Sequence, residues 1–87
     1  MAKKTTAAEV LRIAREIMRD DTLNDSELLE REYLDEALID SFQLVEMITA
    51  LEVRFHVKFS AAELTSDGFR TLAGVVAIVD SNLKGAR

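Results

Sequence analysis

Apolar residues recur at helical spacing in three stretches of the chain. Ala7, Val10, Leu11, Ala14, Ile17 and Met18 share one face, the spacing of a helix laid on a core. Thr6-Ala-Ala-Glu9 ahead of them reads as a capping box, in which hydroxyl and carboxylate each satisfy an otherwise orphaned amide. This helix is expected to run to about Arg19, where Asp20, Asp21, Asn24, Asp25 and Ser26 stop it. A second helix starts at Asp40-Ser41-Phe42-Gln43, with Asp40 as N-cap and Gln43 as its reciprocal partner, and ends near Phe55. Within it Leu44, Ile48, Leu51 and Phe55 form a narrow stripe that must face the core, while Ser41, Val45, Thr49 and Glu52 fall together on the flank. Val57 and Phe59 alternate with polar neighbours. A further capping box, Ser60-Ala-Ala-Glu63, opens a short helix that residues 65–68 end. Thr71 can cap the last helix, whose buried face is Leu72, Val75, Val76, Val79 and Leu83, with Ile78 at its edge.

Between the first two long helices, residues 20–39 carry Leu23, Leu28, Leu29, Tyr33, Leu34 and Leu38 at irregular spacing. A short helical turn near residues 24–30 is expected there, with the apolar side chains anchoring the rest to the bundle. Loops this long are uncommon in compact domains and are often functional. The sum is an all-α four-helix bundle: three longer helices, one short one and a long first loop. One domain over residues 5–84 is expected, with residues 1–4 and 85–87 frayed. About a dozen large apolar side chains, at roughly 1.5 to 3 kcal/mol each, offset the conformational entropy of such a chain only narrowly, so modest stability is expected.

Composition narrows the chemistry. The 87 residues include no cysteine, which excludes disulfides, thiolate metal sites and a thiol nucleophile of the chain's own. No apolar run reaches membrane-spanning length and the first residues lack the pattern of a signal peptide, so a soluble cytoplasmic monomer is expected. Charge is unevenly spread. Residues 20–52 hold eleven acidic side chains against the single Arg31, while the segments on either side are net basic. An acidic block repels phosphate backbones and anionic lipid, which disfavours nucleic-acid and membrane binding and favours a partner with a basic patch.

Leu38-Ile39-Asp40-Ser41-Phe42, then Val45-Glu46-Met47 and Leu51-Glu52-x-x-Phe55, resembles the modification site and second helix of acyl carrier proteins. Phe42 stands where that family has leucine. The helix pattern, the acidic first loop, the short third helix and Phe69-x-Thr71-Leu72 also match, so the resemblance is specific over residues 33–83. It implies that Ser41 receives 4′-phosphopantetheine from coenzyme A through a separate magnesium-dependent phosphopantetheinyl transferase. The arm's thiol then carries an acyl group as a thioester, as in fatty-acid or polyketide synthesis. The resemblance makes Asp40 the partner of the modified serine, and Val45, Glu46, Thr49 and Glu52 the surface that meets basic patches on loading and processing enzymes. A serine in the first turn of a helix suits a phosphodiester on physical grounds too, because unpaired amides and the helix dipole favour an anion there. Ile39 replaces the small residue usual in fatty-acid carriers, and Leu-Ile-Asp-Ser-Phe is also similar to D-alanyl carrier proteins and some peptidyl carriers. The cargo stays open at this point.

Two other readings compete. An enzyme would pair Ser41 with His56, the sole histidine, but fifteen helical residues separate them by roughly 22 Å. The second is an acidic helical interaction module in which Ser41 only helps to start a helix.

Overall fold

The computed structural model of the protein describes residues 5–18 and 22–85. Five α-helices follow one another: α1 (Thr6–Met18), α2 (Asp25–Glu30), α3 (Ser41–Phe55), α4 (Ala61–Leu64) and α5 (Leu72–Gly85), with a 3-10 helix, Asp67–Arg70, between the last two. The architecture is the expected all-α bundle of three long helices. α1 packs against both α3 and α5, α2 closes on α1 and α5, and the 3-10 helix lies along α5. None of the described helices is long and apolar enough to cross a membrane.

The core is one connected cluster in which Val10, Ala14, Met47, Leu51, Leu72, Val75 and Val79 are wholly enclosed. Val57 and Phe59, which alternate out of α3, are both buried. Phe59 meets Phe69 edge to face, with ring centroids 5.4 Å apart, the geometry that ring quadrupoles favour. The α3 stripe turns by one position from expectation: Met47 and Leu51 are fully buried, and Leu44, Ile48 and Phe55 are half-buried against them. Leu83 stays exposed, one turn past Val79, the last fully buried residue of α5.

The start of α1 also differs from expectation. Thr5, not Thr6, is the cap: its Oγ1 accepts from the Ala8 amide at 3.0 Å. Thr6 is the first helical residue and its hydroxyl donates to Asp80 on α5. Glu9 reaches beyond its own helix. It is buried, and its Oε1 accepts from Arg12 at 3.2 Å and Arg54 at 2.9 Å, so it ties α1 to the far end of α3.

The first connection holds α2 as expected, capped by Asn24, whose side chain accepts from the Glu27 amide while Glu27 accepts from the Asn24 amide. The expected stop residues Asp20 and Asp21 lie outside the described residues. Of the anchors, Leu28 and Tyr33 are buried, but Leu34 is exposed. Its segment is pinned to the 3-10 helix instead: Glu32 and Thr71 form a β-bridge, the Tyr33 hydroxyl donates to the Phe69 carbonyl, and Arg70 pairs with Glu32 and Asp35 at 3.2 and 2.8 Å.

Candidate functional site

The site is built by the turn that delivers Asp40. Leu38 N and Ile39 N both donate to the Tyr33 carbonyl, at 2.8 and 3.1 Å, around Ala37 in the left-handed region with φ 60°. Ile39 is buried, so the chain is clamped on the residue next to the cap. Asp40 then takes extended backbone, and its Oδ1 accepts from the Gln43 amide at 2.8 Å. Gln43 Oε1 accepts from the Asp40 amide at 3.1 Å, and Gln43 Nε2 donates to the Ile17 carbonyl at 3.1 Å. The reciprocal box read from four consecutive residues is therefore formed. Its glutamine has a further task, tying the start of α3 to the end of α1.

Ser41 is the first residue of α3 and is exposed. Among the described residues no hydrogen bond engages its Oγ, so the hydroxyl stands in solvent beside the free amides of the first turn. A 15-residue helix carries a partial positive charge at this end, which stabilises an anion placed there. The site fits a phosphodiester arm: no wall encloses the oxygen, and the neighbouring cap is already organised without it.

Along α3, Val45, Glu46 and Thr49 are exposed together with Ser41. Glu52, expected on the same partner flank, is half-buried, and its Oε2 accepts from the Phe59 amide at 3.0 Å. That carboxylate therefore also fixes the chain reversal after α3. Two apolar residues of α3 that the sequence did not assign to the outer face are exposed there, Phe42 at 73% and Val53 at 68%. With Val45 and Thr49 they follow helical spacing on the outer face, a signal present in the sequence and overshadowed by the core stripe. A groove of ≈ 720 Å³ runs beside them, floored by Ile13, Ile17 and Ala50. His56 sits at the opposite end of α3 from Ser41, exposed, as a left-handed C-cap with φ 56°.

These features define a carrier: an exposed hydroxyl held at a helix start on a small bundle with an accessible helix face. The phosphopantetheine attachment site family matches residues 4–79, and the chain belongs to that family of carrier proteins, whose members bear covalent 4′-phosphopantetheine. It is 30% identical over 69 residues to a D-alanyl carrier protein of Streptococcus sanguinis, covering 79% of this chain and 84% of that one. A D-alanyl carrier protein of Streptococcus thermophilus has the same identity and coverage. One from Bacillus subtilis is 32% identical over 68 residues, covering 78% of this chain and 85% of its own length. No solved structure matches the chain.

Proposed function

We propose that Ser41 Oγ is the attachment atom for 4′-phosphopantetheine and that the chain is a substrate of a phosphopantetheinyl transferase rather than a catalyst. The observation that carries this reading is the exposed Ser41 hydroxyl at the first position of α3, directly after the Asp40 cap. On this reading Ser41 Oγ attacks the pantetheine-bearing phosphorus of coenzyme A, its proton goes to a base of the transferase, and adenosine 3′,5′-bisphosphate leaves. Asp40 spends Oδ1 on the Gln43 amide, and its other carboxylate oxygen faces the transferase and its metal. The bound arm supplies a flexible thiol, which a chain with no cysteine cannot supply itself.

The cargo is proposed to be an aminoacyl group, with D-alanine first among candidates because the relatives named above are D-alanyl carrier proteins. A fatty or polyketide acyl chain is the alternative. Val45, Glu46, Thr49 and the outer edge of Glu52 form the face offered to loading enzymes, the carboxylates meeting basic residues and the small side chains sitting at the contact centre.

The test is intact-mass spectrometry after incubation with coenzyme A and a broad-specificity phosphopantetheinyl transferase. One pantetheinyl adduct is expected on the wild-type chain and none on Ser41→Ala. A folded wild-type chain that stays unmodified would transfer the case to the acidic interaction module.

A further inference from the structure

We propose that Gln43 is a positioning residue for the modification of Ser41, a role that rests on the carrier reading above and acts through the first turn of α3, without contact to coenzyme A. One side-chain amide closes two junctions at once. Gln43 Oε1 accepts from the Asp40 amide at 3.1 Å, and Nε2 donates to the Ile17 carbonyl at 3.1 Å. Only one orientation of the amide makes both bonds, because a flip would set donor against donor and acceptor against acceptor. Gln43 is half-buried, so both bonds are partly shielded from water and strengthened by it.

The first turn of a helix lacks in-helix acceptors for its amides, and the last turn lacks in-helix donors for its carbonyls. Ser41 opens α3, and Ile17 lies in the last turn of α1. A helix start that frays lets an oxygen on its first residue sweep through many positions. Ahead of Ser41 the chain is held by buried Ile39, whose amide donates to the Tyr33 carbonyl at 3.1 Å. Behind it the turn is held to α1 through Gln43. α1 is a firm reference, with Val10 and Ala14 wholly enclosed. The tie therefore fixes Ser41 Oγ and the Asp40 carboxylate relative to the bundle. Val45, Glu46 and Thr49, the residues offered for docking, lie beyond the first turn. Loss of the tie should leave recognition intact and spoil the aim of the hydroxyl at phosphorus, where misplacement by about 1 Å can cost about a hundredfold in rate.

A capping role alone predicts something else. Glutamate serves as well as glutamine in a reciprocal box, and its charge suits a helix start. Gln43→Glu therefore keeps an acceptor for the Asp40 amide while it sets a carboxylate oxygen against the Ile17 carbonyl oxygen. It removes the tie and leaves the cap.

Steady-state kinetics of a broad-specificity phosphopantetheinyl transferase, with the full chain as varied substrate, test the proposal. Gln43→Glu should lower kcat by about tenfold or more, with KM within about twofold of wild type and helical circular dichroism unchanged. In NMR relaxation the order parameters of the Ser41 and Phe42 amides should fall in the same variant, before any transferase is added. Thr6→Val cuts the bond to Asp80 at the opposite end of α1 and should leave kcat as it is. An unchanged kcat in Gln43→Glu, or first-turn amides as rigid as in wild type, overturns the proposal and reduces Gln43 to a cap. A rise in KM alone overturns it by placing Gln43 in the contact surface. An equal loss of kcat in Thr6→Val overturns it too, by tracing the effect to overall stability. A wild-type chain that takes no adduct is a different failure, which sinks the carrier reading and this proposal with it.

Discussion

At Asp40 the observed cap and the role proposed for it at the transferase can be separated by substitution. Its Oδ1 holds the Gln43 amide, so Asp40→Ala should cost about 1 kcal/mol in chemical denaturation. Asp40→Asn keeps a capping oxygen and should stay within a few tenths of a kcal/mol of wild type. If the charge serves the transferase, Asp40→Asn must still slow pantetheinylation markedly, and equal rates would confine Asp40 to capping. Glu46 and Glu52 separate in a similar way. Glu46 is exposed, whereas Glu52 holds the Phe59 amide. Glu46→Lys should therefore slow loading by a partner enzyme at low salt without loss of stability, while Glu52→Lys lowers stability too. The Asp40–Gln43 box was legible because both of its bonds close within four residues. Glu9 sits in an equally good motif, but its carboxylate goes to Arg54, 45 positions away, and no local pattern can state that choice.

Among the elements, the three long helices and α4 were readable from period and cap chemistry, whereas α2 was expected only as a turn, and Asn24, expected to stop α1, is its N-cap. The 3-10 helix Asp67–Arg70 was not readable, because tertiary contacts make it. A Cβ at Gly74 would lie 1.7 Å from the Gly68 carbonyl oxygen, so only glycine lets α5 approach that turn. Gly74→Ala should destabilise the fold by at least about 1–3 kcal/mol, the usual range for overpacking, despite alanine's higher helix propensity, as thermal unfolding will read. Across the same junction the Tyr33 hydroxyl is held by the Phe69 carbonyl. Tyr33→Phe should cost roughly 1–3 kcal/mol by leaving that buried carbonyl unpaired. The long first loop looked anchored by leucines. Its firmest ties are Tyr33, the Glu32–Thr71 bridge and Arg70, which join segments too distant in sequence to be seen together.

For the whole molecule, burial of the phenol pushes Tyr33 well above its ordinary value of 10.0. The folded state therefore prefers the neutral phenol, and stability is untouched below pH 10 and falls as pH rises beyond it. Tyr33 is the sole tyrosine, so tyrosinate absorbance should appear together with the loss of helical circular dichroism rather than before it. On the acid side, the hydrogen bond from Arg70 holds the Asp35 carboxyl below its usual range. The support from that pair is present above ordinary carboxylate pH and is lost as pH falls. Fold class, family and the architecture around Ser41 could all be anticipated from the chain, since they rest on local periods and a short motif. The outer stripe of Phe42 and Val53 also had its helical spacing in the chain, but the core stripe of the same helix overshadowed it. The central claim is that one oxygen at the head of α3 is the handle of this carrier, and intact mass after transferase treatment tests it most directly. A single pantetheinyl adduct on wild type, lost in Ser41→Ala with the helical spectrum retained, is the predicted result. An adduct that persists in Ser41→Ala, or a well-folded wild type that takes none, would contradict it.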